Sequence, residues 1–271
     1  MANAIRSIVP LVAIALSLLA GCANTPSAPT PEIRQALAPT GTLRVGVYPG
    51  SPTSMIRDPK SGELKGVALE LGQELARRLG VPFQSVVFQR PAEVVEGVKA
   101  GRVDITFTNA SPARARDIDF TPPLLGIEQG FLVLPGSPIS TSALTDVDRP
   151  EIRVGVSQGS TSLSTLSREF KYAKLVEVPN LKIATEMLTR HQLDAFASNK
   201  AILNELSDEL TGSKVLAGRF GLEHVALGIP KGRDRGMDYL RGFAAEMMSG
   251  GYLQRAVDRA GLRGTVKPEF D

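Results

Sequence analysis

An internal repeat constrains this chain more than any other feature of its sequence. Arg44–Ser51 reads RVGVYPGS and Arg153–Ser160 reads RVGVSQGS, so that six of the eight positions agree. A second pair of segments follows in the same order, with KAGRVDITFTN at Lys99–Asn109 and TRHQLDAFASN at Thr189–Asn199. Two repeated blocks in one order indicate two lobes that share the same strand–helix–strand plan.

The local patterns of the first lobe alternate between strand and helix. Apolar periodicity and Gly or Pro breakers predict strands at 43–47, 82–88 and 103–107 and helices at 67–79 and 91–100. This alternation predicts an α/β fold with a mostly parallel sheet flanked by helices. In the repeat, Asp104 matches Asp194 and Asn109 matches Asn199, so the members of each pair should have equivalent places in the two lobes.

Two apolar segments that end in Gly or Pro breakers predict that the chain crosses between the lobes twice. Gly130–Pro138 (GFLVLPGSP) leads out of the first lobe, and His224–Pro230 (HVALGIP) leads back. We therefore predict the first part of lobe one at 40–134 and lobe two at 135–222. The return to lobe one, which includes the C-terminal helices, is predicted at 223–271.

The N-terminal residues read as an export signal followed by a tether. An apolar stretch after Arg6 is short for a membrane-spanning helix, which needs about 20 apolar residues, and it ends in LAGC at Cys22. This ending resembles the lipobox of bacterial lipoproteins; the alternative is a chance cysteine beside an ordinary cleavage site. We predict a signal peptide at 1–21, lipid attachment to Cys22, a Pro-rich tether at 22–39, and a fold that begins near Thr40. The protein would then be exported and held by its lipid at the periplasmic or cell-surface side of a membrane.

Composition and motifs narrow the function classes. The sequence has 31 Lys and Arg against 28 Asp and Glu, without a dense basic run, so no nucleic-acid partner is expected. Its two histidines and single cysteine lack metal-ligand spacing, and Walker and dinucleotide-binding motifs are missing. The acidic residues are scattered, without a clear pair for acid–base work. We therefore expect no metal, no cofactor and no enzymatic activity.

Candidate binding residues follow the strands that the repeat equates. Ligands bind beyond the carboxyl ends of the strands in open α/β sheets, so the cleft between two such lobes is the expected site. Ser51, and the pair Ser160 and Thr161, follow the first strand of each lobe. A helix that begins there presents free backbone N–H groups to an anion, or Ser160 is simply its N-cap. Asn109 and Asn199 end the third strands, where they could orient a polar ligand or form turns.

Two arginines also stand near strand ends. Arg114 lies just beyond the third strand of lobe one. Its guanidinium could bind a carboxylate with two parallel hydrogen bonds, although a surface arginine is the plain alternative. Arg90 precedes Pro91 at the end of another strand and could line the same cleft.

From Gly41 to about Gly264 the chain resembles the extracellular solute-binding proteins of polar amino-acid ABC uptake systems, family 3. The most recognisable motif is SPARARDIDFTPP at Ser111–Pro123, and TLRVG at Thr42–Gly46 and the stretch Gly62–Gly80 also fit. The resemblance implies a type II periplasmic-binding-protein fold. That fold has two α/β lobes, each a mixed, mostly parallel sheet flanked by helices, which are joined by two hinge crossings and close on a ligand.

The same resemblance implies roles for several candidates. Arg114 matches the arginine that holds the α-carboxylate of the ligand, and Asn109 matches a position that assists it. Ser160 and Thr161 match second-lobe residues that bind the same carboxylate. Members that bind amino acids usually have an acidic residue at the position of Asn199, where it pairs with the α-ammonium group. A standard amino acid is therefore expected to lack its anionic partner here.

The surroundings expected for a ligand side chain are also altered. Ser51 and Pro91 stand at or near the positions of the family's aromatic clamp, and Tyr48 is a partial substitute. A small organic anion therefore fits at least as well as an amino acid, provided that basic side chains such as Arg90 and Lys200 face the cleft.

The resemblance thus implies a substrate-binding lipoprotein of an ABC uptake transporter. Its expected partners are a small carboxylate-bearing ligand, a permease in the inner membrane, and the membrane itself through the lipid anchor. Two alternatives stay open. One is a periplasmic sensing module that acts through a partner protein. The other is an enzyme similar to cyclohexadienyl dehydratase on the same fold, which needs an acid in the cleft that position 199 does not supply.

Overall fold

The computed structural model describes residues 28–268, so the predicted signal peptide and the predicted lipid attachment at Cys22 lie outside the described residues. Within the described part of the chain, no helix is both long and apolar enough to cross a membrane. Its α-helices are α1 (Pro31–Leu37), α2 (Val67–Leu79), α3 (Pro91–Lys99), α4 (Leu144–Val147), α5 (Thr161–Glu169), α6 (Leu181–Thr189), α7 (Lys200–Glu209), α8 (Asp234–Ser249) and α9 (Tyr252–Arg259), and a short 3-10 helix spans Arg114–Arg116.

Its strands are β1 (Leu43–Val47), β2 (Ile56–Arg57), β3 (Leu64–Lys65), β4 (Phe83–Val87), β5 (Ile105–Asn109), β6 (Ile118–Phe120), β7 (Leu125–Val133), β8 (Arg153–Ser157), β9 (Lys174–Val178), β10 (Ala195–Asn199), β11 (Lys214–Val215), β12 (Gly221–Pro230) and β13 (Thr265–Val266). Eleven of them form one sheet, whose main order is β4-β1-β5-β12-β7-β10-β8-β9. The strands β4, β1 and β5 are parallel, as are β10, β8 and β9. The sheet therefore has a set of parallel strands at each end, one set in each lobe, and antiparallel strands in its centre.

That centre consists of β7 and β12, which run antiparallel to each other and to their outer neighbours. The strand β12 pairs with β5 so that Val225 stands opposite Asn109. The strand β7 pairs with β10 so that Gln129 stands opposite Asn199. Both strands begin before the apolar crossings that the sequence predicts. Because the two central strands touch both parallel ends, they bring the ends of β5 and β10 towards one region.

The repeated sequence forms the same ion-pair arrangement in each lobe. In the first, Arg44 donates to Asp104 from its backbone N (3.0 Å), Nε (2.8 Å) and Nη2 (2.8 Å), and Nη2 also donates to the Gly101 carbonyl at 2.9 Å. The carboxylate thus fixes the start of β1 against the turn before β5. Arg233 from the C-terminal segment adds a second guanidinium to Asp104 at 3.1 Å.

In the second lobe, Arg153 donates to Asp194 from backbone N (2.8 Å), Nε (3.0 Å) and Nη2 (3.0 Å). Its Nη2 also donates to the carbonyl of His191 at 2.7 Å. His191 has φ 54°, close to the φ of 66° at Gly101, so the same left-handed turn is kept without glycine. The repeat in the sequence therefore encodes a structural ion pair in both lobes.

The folded part begins earlier than Thr40, which corrects the predicted extent of the tether. The helix α1 starts at Pro31 after Thr30, whose hydroxyl accepts a hydrogen bond from the backbone N of Ile33 at 3.4 Å. Leu37, at its end, is fully buried against α8, where Gly236 leaves room for it. Proline at the first helical position and an N-cap threonine favour a helix, so this Pro-rich segment is partly structural.

The two ends of the sheet have separate cores that meet between the lobes. One buried cluster surrounds β1 and α2 and includes residues of α8 and α9, so the C-terminal helices pack on the first lobe. Another surrounds β8 and β10. A third contains Tyr48 and Phe88 from the first lobe together with Leu188 and Phe196 from the second. The two-lobed α/β architecture follows from this arrangement, whereas the exact lobe boundaries stay a prediction.

Candidate ligand-binding site

A small cavity of about 40 Å³ lies where the lobes meet. It is lined by side chains from both lobes and from β12, namely Tyr48, Pro49, Gln89, Arg90, Pro91, Thr108, Arg114, Ser157, Ser160, Thr161, Ser162, Asn180, Leu181, Ser198, Asn199, Ile202 and Glu223. Arg114, Ser160 and Thr161 also line a wider open cleft of about 620 Å³ between the lobes. The two pockets are thus neighbours that share part of their lining.

Arg114 supplies a cation to this cavity from the 3-10 helix that follows β5. Its Nη1 donates to the Thr108 hydroxyl at 2.7 Å and to the Asn109 carbonyl at 3.4 Å. Both of these side-chain hydrogen bonds to described residues leave from Nη1, so Nε and Nη2 remain available to a ligand. Desolvation lowers the pKa of Arg114, and the nearby charge of Glu223 opposes that shift. An arginine stays protonated under such conditions.

Glu223, in β12, supplies an anion to the same cavity and was missed by the sequence analysis. It is buried, and its Oε2 accepts a hydrogen bond from Asn199 Nδ2 at 2.9 Å, while Oε1 accepts one from Gln129 Nε2 at 3.4 Å. The hydroxyl of Thr161 is near enough to lower the pKa of this carboxyl. Burial raises the pKa of Glu223, and the charge of Arg114 is the largest influence that opposes the rise.

The cleft therefore does hold an acidic group, which position 223 supplies and position 199 does not. The available signal was a glutamate inside an otherwise apolar segment, LEHVALGIP, at the edge of the predicted crossing. Periodicity alone does not show that this side chain faces the cavity, because its place depends on the pairing of β12 with β5 and β7.

Asn109 connects the first lobe to the second. Its Nδ2 donates to Thr161 Oγ1 at 3.1 Å, and its Oδ1 accepts from the backbone N of His224 at 2.8 Å. It is buried and lines the wider cleft. Ser160 accepts a hydrogen bond from Leu163 N at 3.1 Å and is the N-cap of α5. Ser160 therefore caps a helix and also lines the cavity.

Asn199 is also an N-cap, of α7, and does not form a turn. Its Oδ1 accepts from the backbone N of Ile202 at 3.1 Å, while its Nδ2 is directed to Glu223. The side chain of Asn199 is thereby held in one orientation. It lines the cavity as the sequence analysis expected, although its partner there is a carboxylate of this protein.

Two of the remaining candidates line the cavity. Tyr48 is buried there, and desolvation raises the pKa of its phenol. Arg90 forms an ion pair with Glu93 at 3.3 Å and donates from Nη1 to Gln158 Oε1, in the second lobe, at 2.6 Å. The charge of Arg90 is therefore matched within the protein.

Two residues that the sequence analysis placed near the ligand, Ser51 and Lys200, do not line the cavity. Ser51 is fully buried, with its hydroxyl 2.6 Å from that of Thr53, and it supports the loop after β1. Lys200 does not face the cleft; its Nζ donates to Glu128 Oε2 at 2.6 Å. This correction removes one of the cations that would have favoured a simple anion.

The lobes are in contact on both sides of the cavity. Besides the Arg90–Gln158 and Asn109–Thr161 hydrogen bonds, Gly159 approaches α3 so closely that a Cβ there would lie 2.6 Å from the Cβ of Ala92. The φ of Gly159 is 64°, which also favours glycine. This arrangement is a closed cleft around a small polar cavity.

Comparison with known proteins agrees with this architecture. The profile of the bacterial extracellular solute-binding proteins, family 3, matches residues 43–261. The ABC transporter glutamine-binding protein GlnH of Bacillus subtilis (strain 168) is 22% identical over 183 residues, which are 66% of this chain and 66% of GlnH.

Solved structures show the same fold at low identity. The amino acid ABC transporter substrate-binding protein AbpA from Streptococcus pneumoniae, bound to L-arginine, has a TM-score of 0.75 and 17% identity, over 83% of this chain and 97% of AbpA. The ancestral amino acid-binding protein AncCDT-1, a precursor of cyclohexadienyl dehydratase, has a TM-score of 0.70 and 22% identity, over 82% of this chain and 96% of that protein.

A site with a cation and an anion at a cavity between two closing α/β lobes defines a ligand-binding protein of the two-lobed, type II class. This chain belongs to family 3 of the bacterial extracellular solute-binding proteins. The predicted fold class and the predicted family are confirmed, and the family is described by solute binding, which favours binding over catalysis.

Proposed function

We propose that this protein captures an amino acid between its two lobes and delivers it to an ABC permease in the inner membrane. The observation that carries the proposal is Arg114, a cation at the interlobe cavity with Nε and Nη2 directed to no described partner. A guanidinium in this state binds a carboxylate with two parallel hydrogen bonds.

The second lobe completes the carboxylate site. Ser160 and Thr161 stand at the N-terminus of α5, where backbone N–H groups and the helix dipole favour negative charge. The ligand carboxylate would thus lie between Arg114 of one lobe and α5 of the other. Such a ligand links the lobes, so its binding favours the closed arrangement over an open one.

The relatives support an amino acid as the ligand. GlnH is described as glutamine-binding, and AbpA was solved with L-arginine. These ligands share the α-carboxylate and α-ammonium groups and differ in their side chains. Of these shared groups, we take the α-carboxylate as the one that Arg114 recognises here.

Delivery to a membrane permease requires an exported protein, and we propose that Cys22 carries the lipid that holds it near the membrane. Cys22→Ser should move the protein from the membrane fraction to the aqueous fraction. A protein that partitions identically with and without Cys22 would contradict the lipid anchor.

We further propose that binding is not followed by chemistry. The family to which the chain belongs is described by solute binding, which supports release of the ligand unchanged. Incubation of the purified protein with its ligand, followed by mass spectrometry, should recover the ligand intact. Turnover to a lighter product would favour the dehydratase alternative instead.

The direct test is a thermal-shift panel on protein that begins at Ala23. The panel contains the standard amino acids, dicarboxylates, keto acids and sulfonates. A ligand present at 100 times its Kd should stabilise the fold by about 2.7 kcal/mol, which raises the melting temperature measurably. Stabilisation by an amino acid supports the proposal, and a panel in which no amino acid raises the melting temperature contradicts it.

A further inference from the structure

We propose that Glu223 is the anionic partner of the ligand's α-ammonium group and that it makes the site selective for zwitterionic amino acids over plain carboxylates. The inference rests on the proposed function, because it takes Arg114 as the partner of the ligand carboxylate. Glu223 and Arg114 both line the 40 Å³ cavity, and each shifts the pKa of the other.

The hydrogen bonds of Glu223 leave acceptor positions for a ligand. An ionised carboxylate has about four lone-pair sites. Two of them are occupied, by the amides of Asn199 and Gln129. Both donors are neutral. The carboxylate is therefore oriented and partly satisfied, while its charge lacks a cation in direct contact among the described residues.

The charges at the cavity favour a zwitterion. Arg114 and Glu223 together are neutral, and the other cation of the lining, Arg90, is paired with Glu93 at 3.3 Å. A bound amino acid places its carboxylate near Arg114 and its ammonium near Glu223, so each buried charge gains an opposite one. A plain carboxylate would instead add a second anion beside Glu223, and like charges in a desolvated site repel each other.

The position of Glu223 also accounts for the unusual residue at 199. The hydrogen bond of 2.9 Å from Asn199 Nδ2 to Glu223 Oε2 places the carboxylate one hydrogen bond away from position 199. Glu223 lies on β12, which crosses between the lobes, while Asn199 begins α7 in the second lobe. The anion is therefore supplied by the crossing strand, and the second lobe contributes a neutral amide that holds it.

The test compares ligands that differ only in the amino group. L-alanine is titrated against L-lactate, and the amino acid that most stabilises the protein is titrated against its own 2-hydroxy acid. Each hydroxy acid keeps the carboxylate and side chain but replaces the ammonium by a hydroxyl. Calorimetry should show that the natural protein binds the amino acid at least about 30-fold more tightly, which corresponds to about 2 kcal/mol.

Glu223→Gln should bring the two dissociation constants of a pair to within about threefold, because the ammonium loses its anion and the carboxylate loses its repulsion. The glutamine side chain has the same shape, and its carbonyl can still accept from Asn199. Asn199→Asp combined with Glu223→Gln returns one carboxylate to the same pair, and aspartate also caps helices. This double variant should regain the preference for the amino acid.

An unchanged preference in Glu223→Gln would overturn the inference. A double variant that melts like the natural protein but lacks the preference for the amino acid, as the single variant does, would also overturn it. The carboxylate at this pair of positions would then not set the preference. Arg114→Ala separates the two claims. If it leaves both members of a pair bound with unchanged affinity, the proposed function fails. If Arg114→Ala weakens both members while Glu223→Gln leaves their ratio unchanged, only the present inference fails.

Discussion

The amide of Asn199 donates a hydrogen bond of 2.9 Å to the carboxylate of Glu223. The same Asn199 side chain accepts from the backbone N of Ile202 and so begins α7. One residue therefore connects the start of a second-lobe helix to the acidic group on the crossing strand. Local helix capping and the electrostatics of the site depend on the same side chain.

Asn199→Ala should lower the free energy of unfolding by about 1.5–5 kcal/mol. The loss of an N-cap costs about 0.5–2 kcal/mol, and a buried carboxylate that loses a donor costs about 1–3 kcal/mol more. Asn180→Ala is the matched control, because Asn180 caps α6 through Ile183 N at 2.9 Å, which is the one hydrogen bond its side chain makes within the described residues. Urea denaturation measures both. Equal losses would show that the bond to Glu223 adds nothing.

The elements with strong local signals were predicted closely. The strand β1 and the helix α2 have the predicted bounds, and α2 ends at Gly80, which has φ 66°. Asn109 ends β5 as expected, although β5 begins two residues later than predicted. Repeats and breakers were sufficient here because their effects are local.

The parts of the site that were missed depend on contacts distant in sequence. Glu223 reaches the cavity because β12 pairs with β5 on one side and β7 on the other. Lys200 neighbours Asn199 yet its ammonium pairs with Glu128, 72 residues away. Arg114 was identified because a recognisable motif surrounds it. Neither of the other two charges has such a local motif, so only the strand register places them.

Ligand affinity should fall on acidification at a pH above the usual range for a glutamate. Burial raises the pKa of Glu223, and only its charged form attracts an ammonium, so affinity is present above that pKa and lost as the pH falls through it. Two other titratable groups at the cavity keep their form, since Arg114 stays protonated and the raised pKa of Tyr48 keeps its phenol neutral. Calorimetry from about pH 8 to pH 5 measures this. Glu223→Gln, as the control, should show a flat profile; a sloping profile in that variant would assign the titration to another group.

The two repeated ion pairs should differ in their contribution to stability. Asp104 has no exposed side-chain surface and contacts two arginines, whereas 23% of the Asp194 side chain and 39% of the Arg153 side chain are exposed. Asp104→Ala should therefore lower the free energy of unfolding by about 3–5 kcal/mol, and Asp194→Ala by about 1–2 kcal/mol. Chemical denaturation of the two variants provides the comparison. A larger loss at Asp194 would contradict the ranking.

The contribution of Asp194 should also depend on pH. The hydrogen bond from Arg153 lowers the pKa of Asp194 from its ordinary value of 3.8. Its stabilising effect is therefore complete above that ordinary value and is lost as the pH falls through the lowered pKa. The difference in unfolding free energy between the natural protein and Asp194→Ala should shrink in acid, and a difference that grows there would refute this assignment.

Leu181 should limit the size of the ligand side chain. It lines the small cavity at the start of α6, and a Cβ on Gly50 would lie 2.7 Å from its Cδ1. Leu181→Ala should raise affinity for long apolar amino acids relative to L-alanine by at least about 10-fold, while Leu181→Met, of similar volume, should keep the natural order. Calorimetric ratios that stay the same in both variants would place the side-chain subsite elsewhere.

The most direct test of the account is calorimetric titration of the natural protein, Arg114→Ala and Arg116→Ala with the amino acid that stabilises the fold most. Both arginines belong to the same 3-10 helix, but Arg116 is exposed and donates only to the Ala113 carbonyl among described residues. Arg114→Ala should lose about 2–5 kcal/mol of binding free energy, at least about 30-fold in Kd, because a buried carboxylate loses its cation. Arg116→Ala should stay within about twofold, as expected for a rim charge. Natural affinity in Arg114→Ala, or an equal loss in both variants, would contradict the claim that Arg114 holds the ligand.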